Sequence, residues 1–178
     1  MKDKLIKRTI MIFPQLKNID VINSIRDKYD PLAEHVRPHI TLVFTFESNL
    51  ISEDIKEHLT QVLKEVSPFK LTLQQIVKID NPLGKYLFLS IKEGKEQLVD
   101  LNKRLYTGIL QAHKPEWLNE NTYLPHMTLG CFASTAELET AYKETQVITE
   151  SFSTIVEKIS VEIVDDNEDS IIEAEVSL

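Results

Sequence analysis

The chain has 178 residues, 42% of them hydrophobic, which favours one globular domain with a sizeable core. Its 28 acidic residues outnumber the 20 basic ones, and the net charge of −8 argues against an extended nucleic-acid track, which needs many basic side chains. The single cysteine excludes an internal disulfide and leaves too few thiols for a cysteine-based zinc site.

The opening residues, MKDKLIKRTIMIFPQL, contain early lysines but only a short apolar stretch, which is broken at Arg8, Thr9 and Pro14. This pattern predicts no signal peptide. No window approaches the length of a membrane span, so no membrane association is expected. With one cysteine and no export signal, the default expectation is a cytoplasmic protein.

The first half of the chain is predicted to alternate strands and helices. In chain order these are a strand (7–13), a helix that ends at Pro31, a strand (39–46), a helix (52–66) and two strands (69–79 and 86–92). The helix over 52–66 has the clearest amphipathic pattern, with Ile55, Leu59 and Val62 on one face. The sequence DNPLGK, between the last two strands, is typical of a turn.

The second half is predicted to repeat this order after a further helix. In chain order the elements are a helix (95–110), an irregular stretch (111–123), a strand (126–132), a helix to about Gln146 and two strands (152–164 and 170–178). Ser134 and Glu137 form the capping-box pattern of the last helix. We therefore expect an internal duplication in which each half supplies one antiparallel sheet with its helices. No Gly/Ser-rich linker separates the halves, so residues 1–178 are predicted to form a single domain of two lobes.

Two nearly identical segments, PHITL and PHMTL, place their histidines 87 positions apart (126 minus 39). In a β-strand, residues two positions apart share a face. His39 and Thr41 are therefore expected on one face of their strand, and His126 and Thr128 on one face of theirs. The alternate residues are expected to face a core: Ile40, Leu42, Phe44 and Phe46 in the first strand, and Met127 and Leu129 in the second.

Two histidines and two threonines on opposite walls of a cleft suit phosphoester chemistry. Attack on phosphorus is in line, so one group accepts a proton on one side and another donates a proton on the opposite side. Imidazole can do either near neutral pH because its ordinary pKa is about 6.5, and a threonine hydroxyl can donate to a non-bridging oxygen. No metal or other cofactor is required, and neither motif has the ligand pattern of a zinc site.

The two His-x-Thr motifs in duplicated halves resemble the 2H phosphoesterase superfamily, which includes the 2′-5′ RNA ligase-like proteins and cyclic nucleotide phosphodiesterases. The resemblance covers nearly the whole chain. It implies an α+β, bilobal duplicated fold, in which two antiparallel sheets flank a central cleft and helices cover the outer faces. The segments RDKYDPL (26–32) and LNKRLYTGIL (101–110) look like those of a bacterial phosphoesterase branch.

By this resemblance the catalytic histidines correspond to His39 and His126, and the phosphate-binding hydroxyls to Thr41 and Thr128. Many RNA ligase-like members carry an arginine shortly after the second motif, where this chain reads LGCFAST. The resemblance therefore supports phosphoester chemistry more strongly than RNA ligation.

The expected function is a metal-independent phosphoesterase that acts on a 2′,3′-cyclic phosphate or a 2′-5′ linkage of a small nucleotide or an RNA end. Two alternatives remain open. The same cleft could hold a nucleotide or RNA end without turning it over, as a binding module. The chain could also be a structural or interaction protein that retains relict motifs.

Other polar and aromatic side chains are expected to be structural. His58 lies away from the apolar stripe of its helix, so we expect it to be solvated. Cys131 continues the core-facing alternation after Leu129 and is expected to be buried. Tyr86 and Tyr123 are expected to pack in the core or at the cleft rim rather than to stack on a base.

Overall fold

The computed structural model describes residues 5–178, so the early lysines of the opening stretch lie partly outside the described residues. Strands and helices alternate through most of the chain. In order they are β1 (Ile6–Ile12), α1 (Ile19–Tyr29), β2 (Ile40–Ser48), α2 (Ser52–Leu63), β3 (Phe69–Asn81), β4 (Gly84–Glu93), α3 (Lys95–Leu105), a 3₁₀ helix (Gly108–His113), β5 (His126–Cys131), α4 (Thr135–Thr145), β6 (Phe152–Val156), β7 (Lys158–Val164) and β8 (Ser170–Ser177). None of the described helices has the length and apolar character needed to cross a bilayer.

The strands form two four-stranded sheets, and all neighbouring strands are antiparallel. The first sheet has the order β2-β1-β7-β8 and the second the order β5-β4-β3-β6. Helices α2 and α3 pack on the first sheet, and α1 and α4 pack on the second. The α+β fold with two antiparallel sheets is thus confirmed.

The prediction that each half supplies its own sheet is wrong. Strands β7 and β8, from the end of the chain, pair with β1 in the first sheet. The residues read as one strand, 152–164, are two strands separated at Glu157, where the chain leaves the second sheet and enters the first. The apolar alternation changes phase at Glu157 and Lys158, two consecutive polar and exposed residues, so the sequence does carry a local sign of this break.

The duplication is visible instead in the positions of the two motif strands. Strand β2 is an edge strand of the first sheet, and β5 is an edge strand of the second. Helix α1, which connects β1 to β2, packs on β5, whereas α3, which connects β4 to β5, packs on β2. This reciprocal exchange of helices brings the two motif edges together, and β2 and β5 contact each other directly.

Two local signals are confirmed at the atomic level. The side chain of Ser134 accepts a hydrogen bond from the backbone N–H of Glu137 (3.3 Å), and the Glu137 carboxylate accepts one from the backbone N–H of Ser134 (3.0 Å). This reciprocal capping box begins α4 where it was predicted. The turn between β3 and β4 lies at residues 82–83, within the DNPLGK segment.

The helix predicted over 95–110 ends earlier, at Leu105. Gly108 has a φ of +51°, a left-handed conformation that a helix cannot continue through. A Cβ atom at Gly108 would lie only 3.0 Å from the ring of His58. His58 is buried there, with its Nε2 atom 3.2 Å from the carbonyl oxygen of Leu105, so the prediction that it is solvated is wrong.

The buried hydrophobic side chains form one continuous cluster that includes residues of all four α-helices and of both sheets. Examples from α1 to α4 are Ile22, Leu59, Leu101 and Leu138. Because the two sheets share this core, we propose that they unfold together as one domain.

A buried ion pair joins β1 to β8 within the first sheet, and breaking it is expected to destabilise the fold. Arg8 on β1 is 1% exposed and makes a two-pronged contact with Glu173, at 2.6 and 2.8 Å. Glu173→Ala leaves the guanidinium unpaired in the interior, so we expect the free energy of unfolding to fall by about 3–5 kcal/mol. Urea denaturation followed by circular dichroism measures this loss.

Glu175→Ala, two positions along the same strand, is the matched control. Glu175 pairs with Lys158 at the surface, and an exposed pair of this kind contributes about 0–1 kcal/mol. Equal losses in the two variants would show that the Arg8 pair has no special role in stability.

Candidate active site

His39 directly precedes β2, and its ring is held by the backbone of its own motif. The Nδ1 atom lies 2.8 Å from the carbonyl oxygen of Arg37, two positions earlier. A carbonyl oxygen only accepts hydrogen bonds, so Nδ1 carries the proton in the neutral ring. The other nitrogen, Nε2, is therefore left with a lone pair that can accept a proton from a ligand.

His126, the first residue of β5, has the same arrangement. Its Nδ1 atom lies 2.7 Å from the carbonyl oxygen of Leu124, also two positions earlier. In both motifs a proline, which lacks a backbone N–H group, stands between the histidine and the carbonyl that orients it. The same contact with the carbonyl two positions earlier therefore selects the same tautomer in both rings.

Burial keeps both imidazoles neutral. The pKa of His39 is lowered to about 4, chiefly by burial and to a smaller extent by the positive charge of Arg26 and of His126 in its protonated form. The Arg37 carbonyl and the Asp30 carboxylate act in the opposite direction but are outweighed. Burial also lowers the pKa of His126 below its ordinary value. The effect of His126 on His39 shows that the two rings lie within electrostatic reach of each other.

The aromatic neighbours of the two histidines differ. The ring of His126 stacks on Phe88 of β4, with ring centroids 3.6 Å apart and an interplanar angle of 14°. His39 meets Phe13 edge-on, at 6.2 Å. Phe88 was not singled out in the sequence, although the alternation of β4 around the buried Leu87 already indicated that it lies on the opposite face.

Thr41 lies in the same cavity as His39. This cavity has a volume of about 260 Å³, and its other lining residues include Thr9, Met11, Phe44 and Ser170. Thr41 and His39 are half-buried while Ile40 between them is fully buried, as the alternation predicts. The structure therefore brings the first predicted pair together.

Thr128 and His126 are likewise half-buried on β5, on either side of the buried Met127. His126 lines a separate cavity of about 140 Å³, together with Phe88 and Ser90. The second pair therefore shares one face of its strand, as predicted, but the two histidines line different cavities.

A β-bulge alters the predicted alternation in β2. The register between β1 and β2 shifts at Leu42, which becomes an extra residue, and Leu42 and Val43 are both buried. A second register shift, ahead of Phe46, restores the original faces, and Phe46 is buried as predicted. Between the two shifts the faces are exchanged. Phe44 therefore lines the cavity with His39 and Thr41, and the prediction that it faces the core is wrong.

A second bulge does the same in β5. Leu129 is the extra residue in the pairing with β4, and both Leu129 and Gly130 are buried. Cys131 consequently points outward and is exposed, so the prediction that it is buried is wrong. A Cβ atom at Gly130 would lie 2.8 Å from the Cβ of Tyr29, which explains why a glycine follows the bulge.

The two tyrosines expected in the core or at the rim have those positions. Tyr123 is 4% exposed, and Tyr86 stacks on Phe88 with ring centroids 5.4 Å apart. Trp117 is half exposed and packs edge-on against Phe44, at 5.1 Å.

Among residues 5–178, no three acidic, histidine or cysteine side chains come close enough together to hold a metal ion. The polar side chains of the two motifs are imidazoles and hydroxyls, which move protons and donate hydrogen bonds.

Comparison with known proteins places this geometry in context. The family model of the 2′-5′ RNA ligase superfamily matches residues 13–168. A Bacillus licheniformis protein named "Putative phosphoesterase" is 32% identical over 128 residues, which is 70% of each chain. Two crystal structures of E. coli LigT have the same fold. The apo form has a TM-score of 0.63 at 18% identity and covers 98% of both chains, and the 3′-AMP complex has a TM-score of 0.61 at 17% identity and covers 98% of this chain and 99% of LigT.

Proposed function

The chain belongs to the 2′-5′ RNA ligase superfamily of 2H phosphoesterases, and from this premise we propose that it cleaves a phosphodiester of a small nucleotide or an RNA end. The proposed bond is a 2′,3′-cyclic phosphate or a 2′-5′ linkage, and the reaction needs no metal or other cofactor. One observation carries the proposal: His39 and His126 both donate from Nδ1 to a backbone carbonyl, which leaves both Nε2 atoms for substrate.

The proposed reaction moves one proton on each side of the phosphorus. The Nε2 atom of one histidine takes a proton from the attacking water or ribose hydroxyl, whose oxygen forms the new bond to phosphorus. The other histidine, in its protonated form, gives a proton to the ester oxygen as its bond to phosphorus breaks. The hydroxyls of Thr41 and Thr128 donate to the non-bridging oxygens, where negative charge is concentrated.

The substrate class is supported by size and charge. A net charge of −8 disfavours a long polyanion, whereas a single phosphate with its nucleoside requires only a local site. The structural neighbour LigT has been crystallised with 3′-AMP. We place the protein in the cytoplasm, where nucleotides and RNA ends are available and a lone thiol stays reduced.

The decisive experiment incubates the purified protein, in EDTA, with 2′,3′-cyclic mononucleotides and 2′-5′-linked dinucleotides, and separates the products by chromatography. We expect turnover of at least one of these substrates at an undiminished rate in the chelator. Activity that EDTA abolishes and a divalent cation restores would overturn the metal-free mechanism.

One observation favours a second candidate, the non-catalytic binding module. Both imidazoles have lowered pKa values, so neither is charged near pH 7 in the free protein, and a general acid is then absent until a ligand supplies negative charge. Calorimetry with the same nucleotides distinguishes the two candidates. Tight binding without product would identify the binding module. A purely structural protein would show neither binding nor a ligand-induced rise in melting temperature.

The same pKa values predict an acidic optimum for kcat/KM, which reports the free enzyme. His39 stays unprotonated down to about pH 4, so the acidic limb lies well below pH 6.5. The pKa of His126 is also lowered from its ordinary value of 6.5. As the pH rises, this ring therefore loses its proton before pH 6.5 is reached. The maximum should therefore lie between about 4 and 6.5, whichever histidine is the acid.

Initial rates with a 2′,3′-cyclic nucleotide across pH 3.5–9 measure the profile, because the phosphate of this substrate does not titrate in that range. A maximum above pH 7 would show that burial is not the dominant influence on the pKa values of the two rings.

A further inference from the structure

The first motif lies on an edge strand, so the backbone groups on the free side of β2 have no strand partner. Asn102 of α3 and Tyr106, the residue that follows this helix, satisfy two of these groups. The amide of Asn102 donates to the carbonyl oxygen of Leu42 at 2.8 Å, and the hydroxyl of Tyr106 accepts from the backbone N–H of Phe44, also at 2.8 Å. These bonds hold β2 against the helix that packs on it.

A third bond comes from a different part of the chain. The hydroxyl of Tyr123 donates to the carbonyl oxygen of Thr41, at 2.8 Å. Burial raises the pKa of the Tyr123 phenol, so the group stays protonated and remains a donor throughout the working pH range. Thr41 is the residue whose own hydroxyl is proposed to hold the phosphate.

Tyr123 also belongs to the segment that orients the second histidine. The next residue, Leu124, supplies the carbonyl that accepts from Nδ1 of His126. The ring of Tyr123 is 4% exposed and packs against Phe44 with ring centroids 6.5 Å apart. A single side chain thus fastens the backbone of the first motif to the backbone immediately before the second.

We propose that Tyr123 is a positioning residue that sets the separation of the two histidines across the cleft. The inference rests on the proposed function, because it gives that separation a role in catalysis. Tyr123 itself contacts no reacting atom; it acts through Thr41 on one side and through the Leu124 carbonyl on the other. In-line transfer requires both imidazoles to reach the same phosphoryl group, and an error of about 1 Å in such a geometry can cost about 10²-fold in rate.

The test compares Tyr123→Phe with Tyr106→Phe. Each variant loses one buried hydroxyl bonded to the backbone of β2, but only Tyr123 connects that strand to the second motif. We expect Tyr123→Phe to lower kcat with a 2′,3′-cyclic nucleotide about 10- to 100-fold, with KM changed less than about 3-fold. Tyr106→Phe should keep kcat within about 3-fold of wild type. The melting temperatures of the two variants should fall by similar amounts.

A second readout does not depend on turnover. The imidazole resonances of His126, followed by NMR during a pH titration, should shift in Tyr123→Phe and stay in place in Tyr106→Phe. Equal losses of kcat in the two variants, or unchanged His126 resonances in Tyr123→Phe, would overturn the positioning role. Absence of turnover in the wild type would instead refute the proposed function, and the NMR comparison would still decide the role of Tyr123.

Discussion

His126→Ala is expected to lower kcat with a 2′,3′-cyclic nucleotide by about 10²–10⁴-fold, and His39→Ala by a similar factor. Each substitution removes the only imidazole that its lobe is proposed to offer to the phosphoryl group. Since the two rings act in one reaction, the double variant should be little worse than either single variant. Product formation, measured by chromatography at the optimal pH of the wild type, gives these ratios.

His113→Ala is the control for the loss of an imidazole elsewhere in the molecule. The ring of His113 packs at a tilt against Phe46, with ring centroids 4.8 Å apart, and belongs to neither motif, so turnover should stay near that of the wild type. Melting temperatures establish that all the variants are folded. Wild-type turnover in either His39→Ala or His126→Ala would eliminate paired-histidine catalysis.

The parts of the site that depend on neighbouring residues could be predicted from the sequence. Period-two alternation placed His39 with Thr41 and His126 with Thr128, and all four side chains are half-buried. The pattern is reliable there because each motif begins its strand, ahead of any irregularity. It was wrong for Phe44 and Cys131, which follow bulges that only the pairing with a neighbouring strand creates.

The arrangement of the sheets could not be predicted in the same way. The pairing of β7 with β1 depends on contacts between distant parts of the chain. The same is true of the hydrogen bond from Tyr123 to Thr41, which joins residues 82 positions apart. Alternation and propensity describe a strand, but they carry no information about the strand that it will lie beside.

The structure also shows that the two halves of the site are not equivalent, although their motifs are nearly identical. His39 experiences the positive charge of Arg26, from α1, whereas His126 is stacked on Phe88. Arg26 is itself buried and paired with Asp30 at 2.8 Å, so its charge is fixed in place. The environments that distinguish the histidines therefore come from elements outside the duplicated motifs.

Thr41→Val and Thr128→Val are each expected to lower kcat about 10²-fold. Valine keeps the branched shape that suits a strand, so the change removes only the hydroxyl proposed to stabilise the charge on a non-bridging oxygen. Calorimetry with inorganic phosphate should show weaker binding in both variants, because the same hydroxyls hold the phosphate before it reacts.

Thr154→Val is the matched control for these two substitutions. Thr154 is a half-buried threonine of β6, at the far edge of the second sheet from β5, and its loss should change neither kcat nor phosphate binding. If Thr41→Val retained full turnover while His39→Ala lost it, the histidine would act without its neighbour, and the shared face of the strand would have no catalytic meaning. Parallel losses in kcat and phosphate affinity would instead establish that each motif contributes its hydroxyl together with its imidazole.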